Sequence, residues 1–116
     1  MTEAKFYKFE TYVPPEYAEA VKTALAAAGA GRWGTYDHCF WSTAGTGEFR
    51  PLDGAQPFLG RVGEVESTPE IKLETLCPAN RVDAVIAALK ASHPYEVPAF
   101  YLTPVRGPEF TESPRS

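Results

Sequence analysis

Histidine, cysteine and clustered basic charge are the features that this sequence has least of. Its 116 residues include two histidines and two cysteines, and the formal net charge is −4. This acidity, with no stripe of lysine or arginine, argues against a nucleic-acid-binding surface. No apolar run approaches the length of about 20 residues that crosses a membrane, and the first residues lack the apolar core of a signal peptide. We therefore expect a cytoplasmic protein whose partners include neither nucleic acid nor membrane.

The two cysteines, Cys39 and Cys77, are too few for a disulfide framework and do not have zinc-finger spacing. We expect two reduced thiols.

A repeated segment is the most informative feature that is present. KFETYVPPEYAEAVKTAL, Lys8–Leu25, returns as KLETLCPANRVDAVIAAL, Lys72–Leu89, with eight identities in eighteen positions. Chance would give roughly one or two identities over such a window. Each copy passes from an alternating, strand-like run through a proline into a helical pattern. The repeat therefore indicates a duplicated strand–helix unit.

Two such units predict an α+β fold of the ferredoxin-like βαββαβ type. Right-handed crossovers place the antiparallel strands in the order 4-1-3-2, with both helices on one face of the sheet. Residues 1–106 form a single domain in this prediction, and residues 107–116 form a flexible C-terminal tail. The predicted helices end near Ala28 and run from Asn80 to Ser92, and the predicted strands cover residues 5–13, His38–Thr43, Glu70–Cys77 and Val97–Val105, with a short edge strand at Glu64–Thr68.

A glycine- and proline-rich arm, Ala44–Gly63, joins the second and third main strands. It contains five glycines and two prolines, so we predict irregular structure that is long enough to have a role. Gly45-Thr46-Gly47 could present backbone N–H groups to an anion, but a hairpin bend is the preferred interpretation.

His38 and Cys39, with Cys77 as a third ligand, are candidate metal ligands, because imidazole and thiolate suit Zn or Cu(I). The alternative is a polar histidine beside two packed thiols, since adjacent strand residues point to opposite faces. The predicted topology places these residues at the sheet end opposite His93, so the two histidines are not expected to share a ligand.

His93-Pro94-Tyr95-Glu96 is the second candidate, at the sheet end that also holds the arm. Its histidine and glutamate could bind a metal or a small anion, or could act as an acid–base pair. The alternative is that His93 caps the carbonyl groups at the end of the second helix.

Two long segments resemble a known family. GAGRWGTYDHCFWSTAGTGEFRPLDGAQPFLGRVGEVE and HPYEVPAFYLTPV are similar to the YqfO-type domain that is inserted in Nif-three-like proteins. The resemblance covers nearly all of residues 5–105 and implies a fold related to CutA and PII proteins, which commonly trimerise. Full-length Nif-three-like proteins also have a two-metal centre rich in histidine. With only His38 and His93 present, the resemblance does not imply the hydrolase activity of that centre.

The resemblance favours a non-catalytic domain that acts as a homo-oligomer, with a trimer ahead of a dimer. Its ligand would be a small molecule, a metal or a partner protein, bound at clefts between subunits. The alternatives are a small enzyme, either metal-dependent or based on His93 and Glu96, and a purely structural oligomerisation module. No cofactor is certain, and a divalent metal, Zn or Cu, is a candidate. The residues predicted to bind the ligand are His93, Tyr95, Glu96, Phe49, Arg50 and Phe58.

Overall fold

Four strands and two helices make up the part of the chain that the computed structural model describes, residues 4–107. The sheet is antiparallel throughout and has the strand order 2-3-1-4, so the predicted fold and strand order are confirmed. The predicted C-terminal tail, apart from its first residue Gly107, lies outside the described residues. Neither helix of the described chain has the length and hydropathy of a membrane span. The elements are β1 Phe6–Val13, α1 Ala18–Ala28, β2 Phe40–Phe49, β3 Glu66–Pro78, α2 Val82–Ser92 and β4 Phe100–Val105.

The duplication is confirmed by the bounds of the elements. A short 3₁₀ turn precedes each helix, at Pro15–Tyr17 and at Ala79–Arg81. Each turn and helix of the second copy begins and ends 64 residues after its counterpart in the first, which is the spacing of the sequence repeat. The proline that immediately precedes each turn, Pro14 in the first copy and Pro78 in the second, has a fixed φ that suits the start of a helix and lacks the N–H that a strand would use. Each copy therefore changes from strand to helix at the same point.

The core lies between the two helices and one face of the sheet. Equivalent positions of the two copies fill it: Val21 with Val85, and Leu25 with Leu89, are all fully buried. Phe9 on β1 is also fully buried, and its ring stacks on that of Phe100 with 5.8 Å between centroids. Burying side chains of this size stabilises the fold by about 1.5–3 kcal/mol each.

The opposite face of the sheet carries a symmetric set of charges. Glu10 and Glu74, which are equivalent in the repeat, lie directly opposite each other across β1 and β3. Lys8 Nζ lies 2.7 Å from a Glu74 oxygen, and Lys72 Nζ lies 3.6 Å from a Glu10 oxygen. The pseudo-twofold axis that relates the copies therefore passes between the two glutamates. Trp41 lies on the same face, beside these charged residues, and its side chain is 68% exposed.

The β2–β3 hairpin differs from its prediction. β2 continues to Phe49, and Gly45-Thr46-Gly47 is part of the strand rather than a bend. Of the predicted edge strand at Glu64–Thr68, the last three residues are the start of β3 and the first two belong to the loop before it. β1 ends opposite Ile71, so the last five residue pairs of the hairpin extend about 16 Å beyond it. Glycine fits this strand because the Glu70 side chain lies where a Cβ at Gly47 would be.

Two other predicted strand bounds are wrong by two or three residues. β2 begins at Phe40 rather than His38, and β4 begins at Phe100 rather than Val97. His38 has φ of 56°, which is incompatible with an extended strand. Residues 97–99 instead form an irregular connection that contains Pro98, a residue without a donor for the sheet. The two connections occupy equivalent places in the two copies.

Gly29 ends α1 with φ of 119°, and its N–H donates to the Ala26 carbonyl at 3.1 Å. A Cβ at this position would lie 2.7 Å from Arg81 Nε. We expect Gly29→Ala to lower the free energy of unfolding by about 2 kcal/mol, through backbone strain and displacement of the arginine. Urea denaturation measures this loss.

Gly54→Ala is the matched control, because Gly54 also has a positive φ, 94°, but has no atom within 4 Å of its would-be Cβ. It should cost about 1 kcal/mol, from strain alone. Equal losses in the two variants would show that the contact with Arg81 contributes nothing.

Candidate ligand-binding site

A pocket of about 540 Å³ lies where the overhanging hairpin, the loop of residues 50–65 and the turn after α2 meet. Its wall is mainly apolar, and Tyr12 and Tyr101 form the side next to the open face of the sheet. This volume is within the range of sites for small molecules, about 300–1,000 Å³. The pocket also includes five of the six residues predicted to bind a ligand: Phe49, Arg50, Phe58, Tyr95 and Glu96.

Tyr95 connects the three segments that form the pocket. Its ring lies 6.1 Å from the centroids of both Phe49, at the end of β2, and Phe58, in the 50–65 loop. Its hydroxyl donates a hydrogen bond of 2.9 Å to Glu70 Oε2 on β3. Burial, together with the negative charge of Glu70, raises the pKa of Tyr95 well above its usual value. Tyr95 is therefore neutral at physiological pH and acts as a fixed wall.

The 50–65 loop is ordered by hydrogen bonds within itself and to the turn after α2. The Gly63 N–H donates to the Pro51 carbonyl at 2.7 Å, which closes the base of the loop. The Gln56 N–H donates to Glu96 Oε1 at 3.1 Å, so Glu96 holds the loop over the pocket. Phe58 also contacts Tyr17 edge-on, with 5.9 Å between ring centroids. The long connection therefore has a defined conformation that shapes the pocket.

His93 is buried behind the Tyr95 ring and does not line the pocket. Its Nε2 lies 2.7 Å from the Tyr12 carbonyl oxygen, and its Nδ1 accepts the Tyr95 N–H at 3.1 Å. A carbonyl only accepts, so Nε2 carries the proton and the imidazole is neutral. Burial lowers the pKa of His93, and the hydrogen bond to Tyr12 and the charge of Glu70 oppose this shift.

These bonds change the roles considered for His93. The helix is capped by its backbone N–H, which donates to the Leu89 carbonyl at 2.9 Å, rather than by its side chain. Both ring nitrogens are occupied within the protein, so His93 orients Tyr95 and the end of β1. Glu96 is exposed on the pocket side of this turn.

The site also includes residues that the sequence reading missed. Glu70, the first residue of a predicted strand, lies in the pocket wall because the hairpin extends past β1. Tyr12 and Tyr101, which contact each other edge-on with 6.2 Å between ring centroids, lie within two of the predicted strands and also line the pocket. The strict alternation of β1 does place Tyr12 on the open face, which was the one available signal.

The other candidate group, at the opposite end of the sheet, does not converge. Cys77 is fully buried beneath the helices, and burial raises the pKa of its thiol to about 11. Cys39 is half-buried beside an open hollow with Lys8 and Trp41, and both cysteines are free. His38 is exposed and pairs with Asp37 at 3.1 Å, which lowers the pKa of that carboxyl. The predicted three-ligand site is therefore not formed.

No group of three His, Cys, Asp or Glu side chains within residues 4–107 is arranged to hold a metal ion.

Comparison with known proteins shows which proteins the chain is similar to in sequence and fold. Residues 61–111 match the family model described as CutA1 divalent ion tolerance protein. A *Bacillus subtilis* protein named GTP cyclohydrolase 1 type 2 homolog is 52% identical over 98 residues, covering 84% of this chain and 26% of that protein. The chain thus spans about a quarter of the length of the curated relatives that it matches.

Solved structures agree with this result. The *Bacillus cereus* protein related to NIF3 superimposes with a TM-score of 0.79 and 36% identity, over 92% of this chain and 27% of that one. CutA1 from *Shewanella* sp. SIB1 superimposes with a TM-score of 0.68 and 20% identity, over 93% of this chain and 88% of that one. The resemblance to the inserted domain and to CutA-like folds is confirmed.

Proposed function

Because this chain is homologous to one CutA1-like segment of the NIF3-related proteins, we propose that it is a non-catalytic regulatory domain that binds a small molecule. The binding site is the pocket around Tyr95, and the binding form is a homo-oligomer. The observation that carries this proposal is the convergence of three separate segments on one tyrosine to enclose an apolar space. We place the protein in the cytoplasm, a compartment that suits its two free cysteines.

The chemistry of the pocket supports binding rather than turnover. A general acid or base needs a titratable group that can exchange its proton with the substrate. The proton of Tyr95 is held in a hydrogen bond to Glu70, and both nitrogens of His93 are bonded within the protein. These groups build a rigid wall instead of presenting a reactive atom. The cyclohydrolase name belongs to relatives about four times longer than the matched segment, and we assign no step of that reaction to this domain.

A divalent metal, Zn or Cu, is a second candidate ligand because the matching family model is described by divalent ion tolerance. With the three-ligand site unformed, such a metal would take ligands from more than one subunit. His38 would be one of these ligands, because its side chain is exposed at the end of the sheet away from the pocket.

The open face of the sheet and the overhanging hairpin supply the surface for assembly. Trp41 and Tyr101 are large apolar side chains on this face that are more than half exposed. Burying such side chains against another subunit stabilises association. We propose a trimer, with the pocket mouth beside the subunit boundary because Tyr12 and Tyr101 belong to both surfaces.

Native mass spectrometry of protein purified from its own host tests both parts of the proposal. The expected species is a homotrimer that retains a small molecule. Trp41→Glu should shift the assembly to monomer at micromolar concentration, because it places a charge in an apolar contact. Light scattering during size exclusion gives an independent mass.

The matched control is Ala87→Glu, which adds the same charge to the exposed side of α2. It should leave the mass unchanged. A wild-type monomer would remove the proposed assembly, and an assembly without any retained or added small ligand would count against the binding role.

A further inference from the structure

The pocket around Tyr95 has an excess of negative charge. Three glutamates line it, and Arg50 is the one basic residue among its described lining residues. Arg50 is exposed, whereas Glu70 is half-buried. Within residues 4–107 the ion pairs do not include Glu70, so its charge is not balanced by a lysine or arginine of the described chain.

Among residues 4–107, the donor that holds the Glu70 carboxylate is a neutral hydroxyl. Glu70 Oε2 accepts the Tyr95 hydroxyl at 2.9 Å, and the Glu70 side chain lies across the face of Gly47. A carboxylate that is partly removed from water is costly unless a cation or several hydrogen bonds compensate it. The single Tyr95 hydroxyl offsets only part of this desolvation cost. A positively charged ligand therefore gains binding free energy by offsetting the rest.

Aromatic rings surround the same space. Tyr12 and Tyr101 meet edge-on at one side, and Phe49 and Phe58 flank Tyr95 at the other. The negative face of an aromatic ring attracts a cation, most strongly where water is excluded. Carboxylates and ring faces therefore favour the same sign of charge in the ligand.

We propose that this pocket takes an organic cation, an amine or ammonium group carried on an apolar or aromatic body. The charged group lies against Glu70 and the ring faces of the tyrosines, and the body packs against Phe58 and the 50–65 loop. This assignment rests on the proposed binding function and specifies the ligand class of the same pocket. An anionic ligand would face three carboxylates with only the exposed Arg50 to offset them.

Three probes with the same indole body and different charge test the ligand class. Tryptamine is a cation, tryptophol is neutral and indole-3-propionate is an anion. Titration of each into the full, isotopically labelled chain, followed by NMR of the pocket residues, gives the dissociation constants. We expect tryptamine to bind about tenfold more tightly than tryptophol, and the propionate to bind most weakly.

Glu70→Gln removes the charge but keeps an oxygen that can accept the Tyr95 hydroxyl, so the fold is retained. It should weaken tryptamine about tenfold and leave tryptophol unchanged. Asp83→Asn, the same change in charge on the exposed surface of α2, is the control and should alter neither.

The outcomes separate the ligand class from the site. Equal binding of tryptamine and tryptophol, or tighter binding of the propionate, overturns the cation proposal while the pocket stands as a binding site. Undiminished tryptamine binding by Glu70→Gln also overturns it. If none of the three probes shifts the pocket resonances at millimolar concentration, the cation proposal and the proposed site both fall.

Discussion

Replacing Tyr95 with alanine is expected to lower the free energy of unfolding by about 3 kcal/mol and to abolish ligand binding. The substitution removes ring contacts with Phe49, Phe58 and His93 at once, and these contacts join separate segments of the chain. The 50–65 loop then loses one of its packing partners, and the pocket loses the wall that Tyr95 forms. Urea denaturation gives the stability, and the titration with tryptamine gives the binding.

Tyr95→Phe separates the ring from the hydroxyl. It keeps the three ring contacts and removes only the bond to Glu70, so we expect a loss of about 1 kcal/mol with the pocket intact. If Tyr95→Ala were no less stable than Tyr95→Phe, the ring contacts would not hold the loop, and the account of the pocket would be wrong.

Replacing His93 with alanine is expected to cost about 3 kcal/mol at neutral pH. The Tyr12 carbonyl and the Tyr95 N–H each lose a partner, and a cavity forms where the imidazole was buried. The affinity of the pocket for its ligand should fall as well, because the Tyr95 backbone is no longer held in place.

The cost of this substitution should decrease as the solution is acidified. Burial holds the pKa of His93 below its ordinary value of 6.5 in the folded state, so the unfolded chain takes up this proton first. The stability that depends on neutral His93 is therefore complete above pH 6.5 and is lost as the pH falls towards the folded-state pKa. The slope is up to about 1.4 kcal/mol per pH unit.

The chain offers a matched control for this effect, because it contains one other histidine. His38 is exposed and has a left-handed φ, which asparagine tolerates, so His38→Asn removes an imidazole without leaving a buried cavity. Denaturation curves between pH 5 and 8 compare the three proteins. A wild-type curve parallel to that of His93→Ala would show that the buried imidazole does not titrate as described.

The sequence was sufficient for the topology because the repeat constrains it. Each copy carries its own strand, proline turn and helix, and handedness leaves one order for the four strands. The repeat does not specify the length of β2, which therefore could not be predicted in this way. Gly45 and Gly47 are residues that usually interrupt strands, and the space beside Gly47 is filled by the Glu70 side chain of the opposite strand, a contact that no local pattern shows.

The candidate site was predicted in its location and only partly in its composition. The HPYE turn and the arm do meet at one end of the sheet, and five of the predicted residues line a common pocket. The environment of His93 depends on one carbonyl at the end of β1, Tyr12, which lies 81 residues away in the chain. Contacts of this range depend on the three-dimensional packing, which local patterns in a sequence do not specify.

The axis between Glu10 and Glu74 gives the molecule two ends of common descent. Gly29 and Gly31 occupy the positions of the first copy that correspond to His93 and Tyr95 in the second, and the open hollow beside Cys39 and Trp41 lies at this end of the sheet. One end therefore has His93, Tyr95 and a covering loop, while glycines hold the two equivalent positions at the other end. In a duplicated fold of this kind, the surface at one end of the sheet can change during evolution while the structure at the other end is retained.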